Sequence, residues 1–161
     1  MDAKQYGDGY QQHLIEQYKL YVQMADNVSL RRSQSNQFYI SVLSALLAVV
    51  ALVGKLYGSG EDARTELVNV AFLCITILGL IICLVWAVNL LSYRQLNSGK
   101  FRVIHEMESM LPYACYDHEW ELLGRGHSFS KYIPLTSIEV YVPAIMSIPY
   151  IIVFLYLLRN L

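Results

Sequence analysis

The stretch LVNVAFLCITILGLIICLVWAVNLLSYRQLNSGKFRVIHEMESML, Leu67 to Leu111, decides the fold: it holds no proline and turns from apolar to polar halfway along while keeping one helical period. Leu67 to Leu91 carries no charged residue. At about 25 residues it exceeds the roughly 20 that a helix needs to cross a bilayer, so it reads as a transmembrane helix. Ser92 to Leu111 is polar, yet Tyr93, Leu96, Val103, Met107 and Met110 recur at three- and four-residue steps, with Lys100 occupying one place in the series. The expectation is one rod that leaves the membrane and continues into water for on the order of 30 Å.

Upstream, Tyr10 to Val53 again contains neither proline nor glycine. Leu14, Tyr18, Tyr21, Ala25 and Val28 step by four, three, four and three, as a coiled-coil-like seam does. The apolar end of this second rod, residues 38–57, carries the single charge Lys55, which can snorkel to headgroups, and reads as the first span. Gly58, Ser59 and Gly60 break the helix, and residues 58–66 form a connection too short for a domain. The two rods should therefore make a long antiparallel hairpin. Before them lies a tail, residues 1–9, without period, and no apolar core with a cleavage site suggests a removed signal peptide.

Downstream, Pro112 ends the second rod, and Asp117 is placed to cap a short helix that Gly124 terminates, within a loop spanning residues 112–135. Thr136-Ser137-Ile138-Glu139 fits a capping box at the start of a third span, residues 136–161, whose Pro143 and Pro149 should bend it. The expected fold class is an all-α integral membrane protein with three transmembrane helices: polar helix 10–37, span 38–57, loop 58–66, span 67–91, polar continuation 92–111, loop 112–135 and span 136–161. The first two helices continue into the cytoplasm. Composition agrees, since 161 residues that are 55% hydrophobic and only 16% charged describe a small membrane protein. A net charge of −1 gives no face the basic density that nucleic acid requires.

Basic residues near the span ends set the orientation. Arg31 and Arg32 precede the first span, and Arg94, Lys100, Arg102, Arg125 and Lys131 lie between the second and third, against Lys55 and Arg64 in the first connection. The N-terminus and the middle segment should be cytoplasmic and the C-terminus outside. Cys74 and Cys83 fall in a span and Cys115 in the reducing compartment, so no disulfide is expected.

The spans hold no Asp, Glu, Arg or His at depth, the usual mark of ion-coupled transport. Three spans are too few to surround a path, so any pore needs several copies. Ser41, Ala45 and Ala48 form a small-residue stripe on the first span, with Ser44 and Ala51 beside it, and Gly79 offers a close approach on the second. The stripe serves either packing inside the hairpin or contact between copies. In the polar rods, Tyr21, Leu96 and Val103 are the candidate packing residues. Arg31, Arg32, Arg94 and Lys100 form a candidate basic cluster at the inner surface, read as topology and contact with anionic lipid before any anion-selecting mouth. His105, Glu106, Glu108, Cys115, Asp117, His118 and Glu119 can be drawn as a metal or catalytic cluster, but their spacing offers one Cys-x-x-His pair and no oriented base. Solvated helix surface is the better account of them, and we assign no catalytic, cofactor or metal residues. Of the 13 tyrosines, Tyr39, Tyr57, Tyr93, Tyr141 and Tyr156 fall near span ends, as an aromatic belt would place them.

Tyr93-Arg94-Gln95-Leu96-Asn97, Lys100-Phe101, Ile104-His105-Glu106, Leu111-Pro112, Glu119-Trp120-Glu121-Leu122-Leu123-Gly124, and Pro134-Leu135-Thr136 with Ile138-Glu139 resemble the RipA-like family of small octameric bacterial membrane proteins. Tyr18-Lys19 with Tyr21, Met24-Ala25-Asp26 and Arg31-Arg32 agree with it. The resemblance implies a multi-pass homo-oligomer of eight copies in the bacterial inner membrane, without enzymatic activity or cofactor. Its partners would be itself, membrane lipids and a cytoplasmic protein, not nucleic acid. Two functions of different kinds remain open: a channel-like or membrane-perturbing assembly acting in stress or phage defence, and a scaffold whose cytoplasmic helices bind a partner.

Overall fold

The computed structural model describes residues 6–57, 63–126, 132 and 138–160, and among these the chain is all-helical. Helix α1 runs Tyr10–Tyr57, α2 Ala63–Glu108, α3 Cys115–Leu122 and α4 Val142–Asn160. Helix α1 starts after Gly7, whose φ of +93° turns the chain. The Tyr10 N–H donates to Gly7 O at 3.2 Å and the His13 N–H to Gly9 O at 3.0 Å. With no proline inside, α1 continues for 48 residues and α2 for 46. Three of the helices, α1, α2 and α4, are long and apolar enough to cross a membrane.

Past α2 the chain tightens into a turn in which the Met110 N–H donates to Met107 O and the Leu111 N–H to Glu108 O, both at 3.0 Å. Pro112 has no N–H to continue the ladder. Helix α3 ends with the Leu123 N–H on Glu119 O at 3.0 Å. Gly124 at φ +71° and Gly126 at φ +72° then flank Arg125 in the left-handed region, the conformation glycine tolerates and arginine does not favour. In α4, Pro143 occupies the first turn, where its missing N–H removes no helical bond, so of the two prolines only Pro149 interrupts the ladder. Thr136 of the expected capping box, residues 58–62 of the connection, Lys131 and the first five residues lie outside the described residues.

The chain divides into two compact units, Met1–Arg32 with Ser92–Leu135, and Ser33–Leu91 with Thr136–Leu161. The second holds the apolar core: Leu43, Cys83, Trp86, Leu90 and Tyr150 are buried, with Tyr39, Leu46, Leu47, Leu80 and Met146 packed around them. The first is centred on Leu14 and Ala25 of α1 and on Lys100, Ile104 and Glu108 of α2, all buried. In the first, Tyr10 at the start of α1 meets Met110 just past the end of α2, and in the second Asn36 and Trp86 meet near the middle of each helix, as antiparallel neighbours do.

Candidate functional site

The first unit is organised by a carboxylate. Glu108 is 1% exposed, and its Oε1 accepts the Tyr18 hydroxyl at 2.9 Å and the Tyr116 N–H at 2.9 Å, while Oε2 accepts the Asp117 N–H at 3.1 Å. These two amides open α3. Helix N-termini present unpaired N–H groups and partial positive charge, so a carboxylate there is held by charge-assisted hydrogen bonds. The expected capping by Asp117 is corrected: the N-cap position is Ala114, which makes no side-chain cap, and Glu108 supplies the acceptor from the neighbouring helix. Asp117 instead lies 3.4 Å from Nδ1 of His105. Burial first, then the bond to Glu108, pushes the Tyr18 phenol well above its ordinary value. Burial and the charge of Asp26 raise Tyr116.

About two turns back along α2, Lys100 is 9% exposed with its Nζ 4.8 Å from the centre of the Tyr21 ring. The ammonium faces an aromatic quadrupole while its stem fills the seam. Lys100 therefore belongs to the interior of the unit. The buried line on α2 is Lys100, Ile104 and Glu108; Val103 is half-buried and Leu96 is 50% exposed. Phe101 meets Tyr116 edge-on at 5.7 Å, closing the side nearest α3. Solvated surface is likewise corrected for Glu108, though not for Glu106 or Glu119, which are exposed. Of the candidate basic cluster, Arg31 and Arg94 are exposed and Arg32 is half-buried. Among the described residues no three His, Cys, Asp or Glu side chains converge as a metal site would require.

The second unit ties its helices through uncharged polar groups. Trp86 Nε1 donates to Asn36 Oδ1 at 2.9 Å while its ring stacks on Tyr39 at 5.6 Å and 13°. Asn89 Nδ2 donates to Ser35 Oγ at 2.9 Å. Tyr150 of α4 is 1% exposed and donates to the Leu43 carbonyl at 2.6 Å. Gly79 makes room for it, since a Cβ on Gly79 would clash with Cε1 and Cδ1 of the Tyr150 ring. On the other side of α1, Ser41, Ala45 and Ala48 are all exposed, as are Ser44 and Ala51. Leu43, Leu46 and Leu47, not the small stripe, face the core.

Three long apolar helices, with α1 and α2 tied by the Trp86–Asn36 and Asn89–Ser35 pairs, define an integral membrane protein. Residues 15–159 match the sequence model of the octameric membrane protein family, 8xMP, and the chain belongs to that family. No curated protein and no solved structure matches it.

Proposed function

We propose that the protein is a self-assembling, non-enzymatic component of the bacterial inner membrane, of the RipA-like kind, eight copies of which form a channel-like or membrane-perturbing assembly in stress or phage defence. The observation that carries self-assembly is the coverage of α1: 6% of its apolar window is buried within the protomer, against 22% in α2. Membership of an octameric family supplies the copies to cover it. Small residues let helix backbones approach closely, which suits Ser41, Ala45 and Ala48 to that contact. In this proposal the N-terminus and the first unit are cytoplasmic, the two polar helix ends make the projecting hairpin, and Arg31 and Arg94 meet anionic headgroups.

Purified protein in liposomes tests the output. Release of a small entrapped dye that scales with protein and is lost when assembly is broken supports the channel-like function. Tight vesicles containing intact octamer would overturn it and favour the scaffold. The scaffold has its own supporting observation: Tyr113, Trp120 and Leu122 around α3 are 62%, 39% and 65% exposed, an aromatic surface that a cytoplasmic protein can cover.

A further inference from the structure

Helix α3 is held by one face of α2. Phe101, His105 and Glu108 stand four and three residues apart, and each engages the first turn of α3: Phe101 meets the Tyr116 ring, His105 the Asp117 carboxylate, and Glu108 the Tyr116 and Asp117 amides. Asp117 is the joint. Its N–H donates to Glu108 Oε2 at 3.1 Å while its Oδ1 lies 3.4 Å from His105 Nδ1, so two carboxylates and one imidazole share a single docking point.

The surroundings of that point are acidic. Burial first, then the charges of Asp26, Glu119 and Glu108, raise the Tyr116 phenol, so carboxylates of α1, α3 and α2 all act on this turn. Cations do not offset them. On α2, Lys100 is turned to the Tyr21 ring, and Arg102 and Glu106, which flank His105, are exposed. On α1, Tyr18 is bonded to Glu108, while His13, Glu16 and Lys19, at the same level of the antiparallel helices, are exposed. Of the described histidines, His13 meets the Tyr6 hydroxyl at 2.9 Å and His118 meets the Tyr113 ring edge-on at 5.8 Å. His105 is the one that faces a carboxylate. Histidine is also the side chain that ordinarily changes charge between about pH 5 and 8.

We propose that His105 is a proton-operated latch for α3: as an imidazolium it pairs with Asp117 and tightens the helix against α2, and as pH rises through neutrality that charge is lost, leaving α3 on the Glu108 bonds and the Phe101 contact. The sign follows from linkage. A cation that gains a partner on docking contributes while it is protonated and stops contributing as pH rises, the reverse of a carboxylate. What the latch governs is the placement of Trp120 and Leu122, both exposed on α3. It concerns the first unit alone and holds whether the assembly conducts or scaffolds.

Hydrogen exchange of the full chain in nanodiscs tests it, read at the Tyr116 and Asp117 amides at about pH 6 and pH 8 and corrected for the intrinsic pH dependence of amide exchange. In the wild type, protection of the two amides should be about threefold higher at the lower pH, the scale of a partly exposed ion pair. His105→Gln should be flat at the level that the wild type has at the higher pH, and Asp117→Asn should be flat as well. His118→Gln should keep the response, and amides around Trp86 in the second unit should show none. A wild type without the difference overturns the latch, as does a response that survives His105→Gln or disappears with His118→Gln. Protection in His105→Gln below the high-pH level of the wild type would show that the ring and not its charge holds α3, and overturns it too.

Discussion

Glu108 shows what one charged residue does when its partners are arranged before it is buried. Three donors converge on it, two of them amides of α3, so Glu108→Ala leaves a phenol and two N–H groups without their acceptor. A buried group stripped of its partner costs about 1–3 kcal/mol, and the loss here should be roughly 3 kcal/mol of local stability. Hydrogen exchange checks it: the amides of Tyr116 and Asp117 should exchange on the order of a hundredfold faster, with the second unit unaffected. Glu108→Gln, which keeps the shape but not the charge, should fall between. Tyr18 adds a pH dependence of known sign. Its folded value lies above its ordinary pKa of 10.0, so its contribution is complete below that pH and is lost as pH rises beyond it. Tyrosine circular dichroism of the first unit should decay above that pH in the wild type, with a weaker pH response in Tyr18→Phe.

Among the elements, α4 is held by a fit between a missing side chain and a large one. Gly79→Ala drives a methyl into the Tyr150 ring, and overpacking of this kind costs about 1–3 kcal/mol. Tyr150→Ala alone empties the site and loses the bond to the Leu43 carbonyl. Because the Cβ of the first variant fills space vacated in the second, the double variant should be less destabilised than the two effects added, as measured by thermal unfolding in detergent. The three apolar helices were legible in the sequence because charge-free runs of that length have one common use. Gly79 as a close approach was legible too. The polar seam was harder. Its centre is Lys100, Ile104 and Glu108, whereas a search for apolar steps passes through Leu96 and Met110, which are half exposed. A lysine counts as polar by composition, but most of its atoms are hydrocarbon, and a ring such as Tyr21 satisfies the rest. A signal did exist: Lys100, Ile104 and Glu108 stand four residues apart, one face of a helix. The cap on α3 could not be read from local spacing at all, since its acceptor comes from another helix.

For the whole molecule, the orientation we propose from the basic bias has the N-terminus in the cytoplasm and, with three spans, the C-terminus outside. A C-terminal alkaline phosphatase fusion should be active and a C-terminal fluorescent fusion dark; the reverse pattern would mean that α4 does not cross. Assembly is the second property at this scale. Ala45 is exposed in the protomer, so Ala45→Phe has room in a monomer and none in a close helix contact. Native mass spectrometry in several mild detergents should show octamer in the wild type and smaller species in Ala45→Phe, with the helix content of both unchanged.

The three donors on Glu108 also differ in when the ribosome makes them. The amides of Tyr116 and Asp117 follow it by 8 and 9 residues, while the Tyr18 hydroxyl precedes it by 90. Tyr18 is synthesised first and waits through both apolar runs for its acceptor; the amides arrive within about a second or two of the carboxylate at ordinary elongation rates. Local closure of α3 onto Glu108 involves a short loop and is fast, whereas joining Tyr18 closes a long one and must follow insertion of α1 and α2. Tyr18 reaches Glu108 only where α1 and α2 lie antiparallel in this register, so one buried acid ties a residue made early to a turn made 90 residues later.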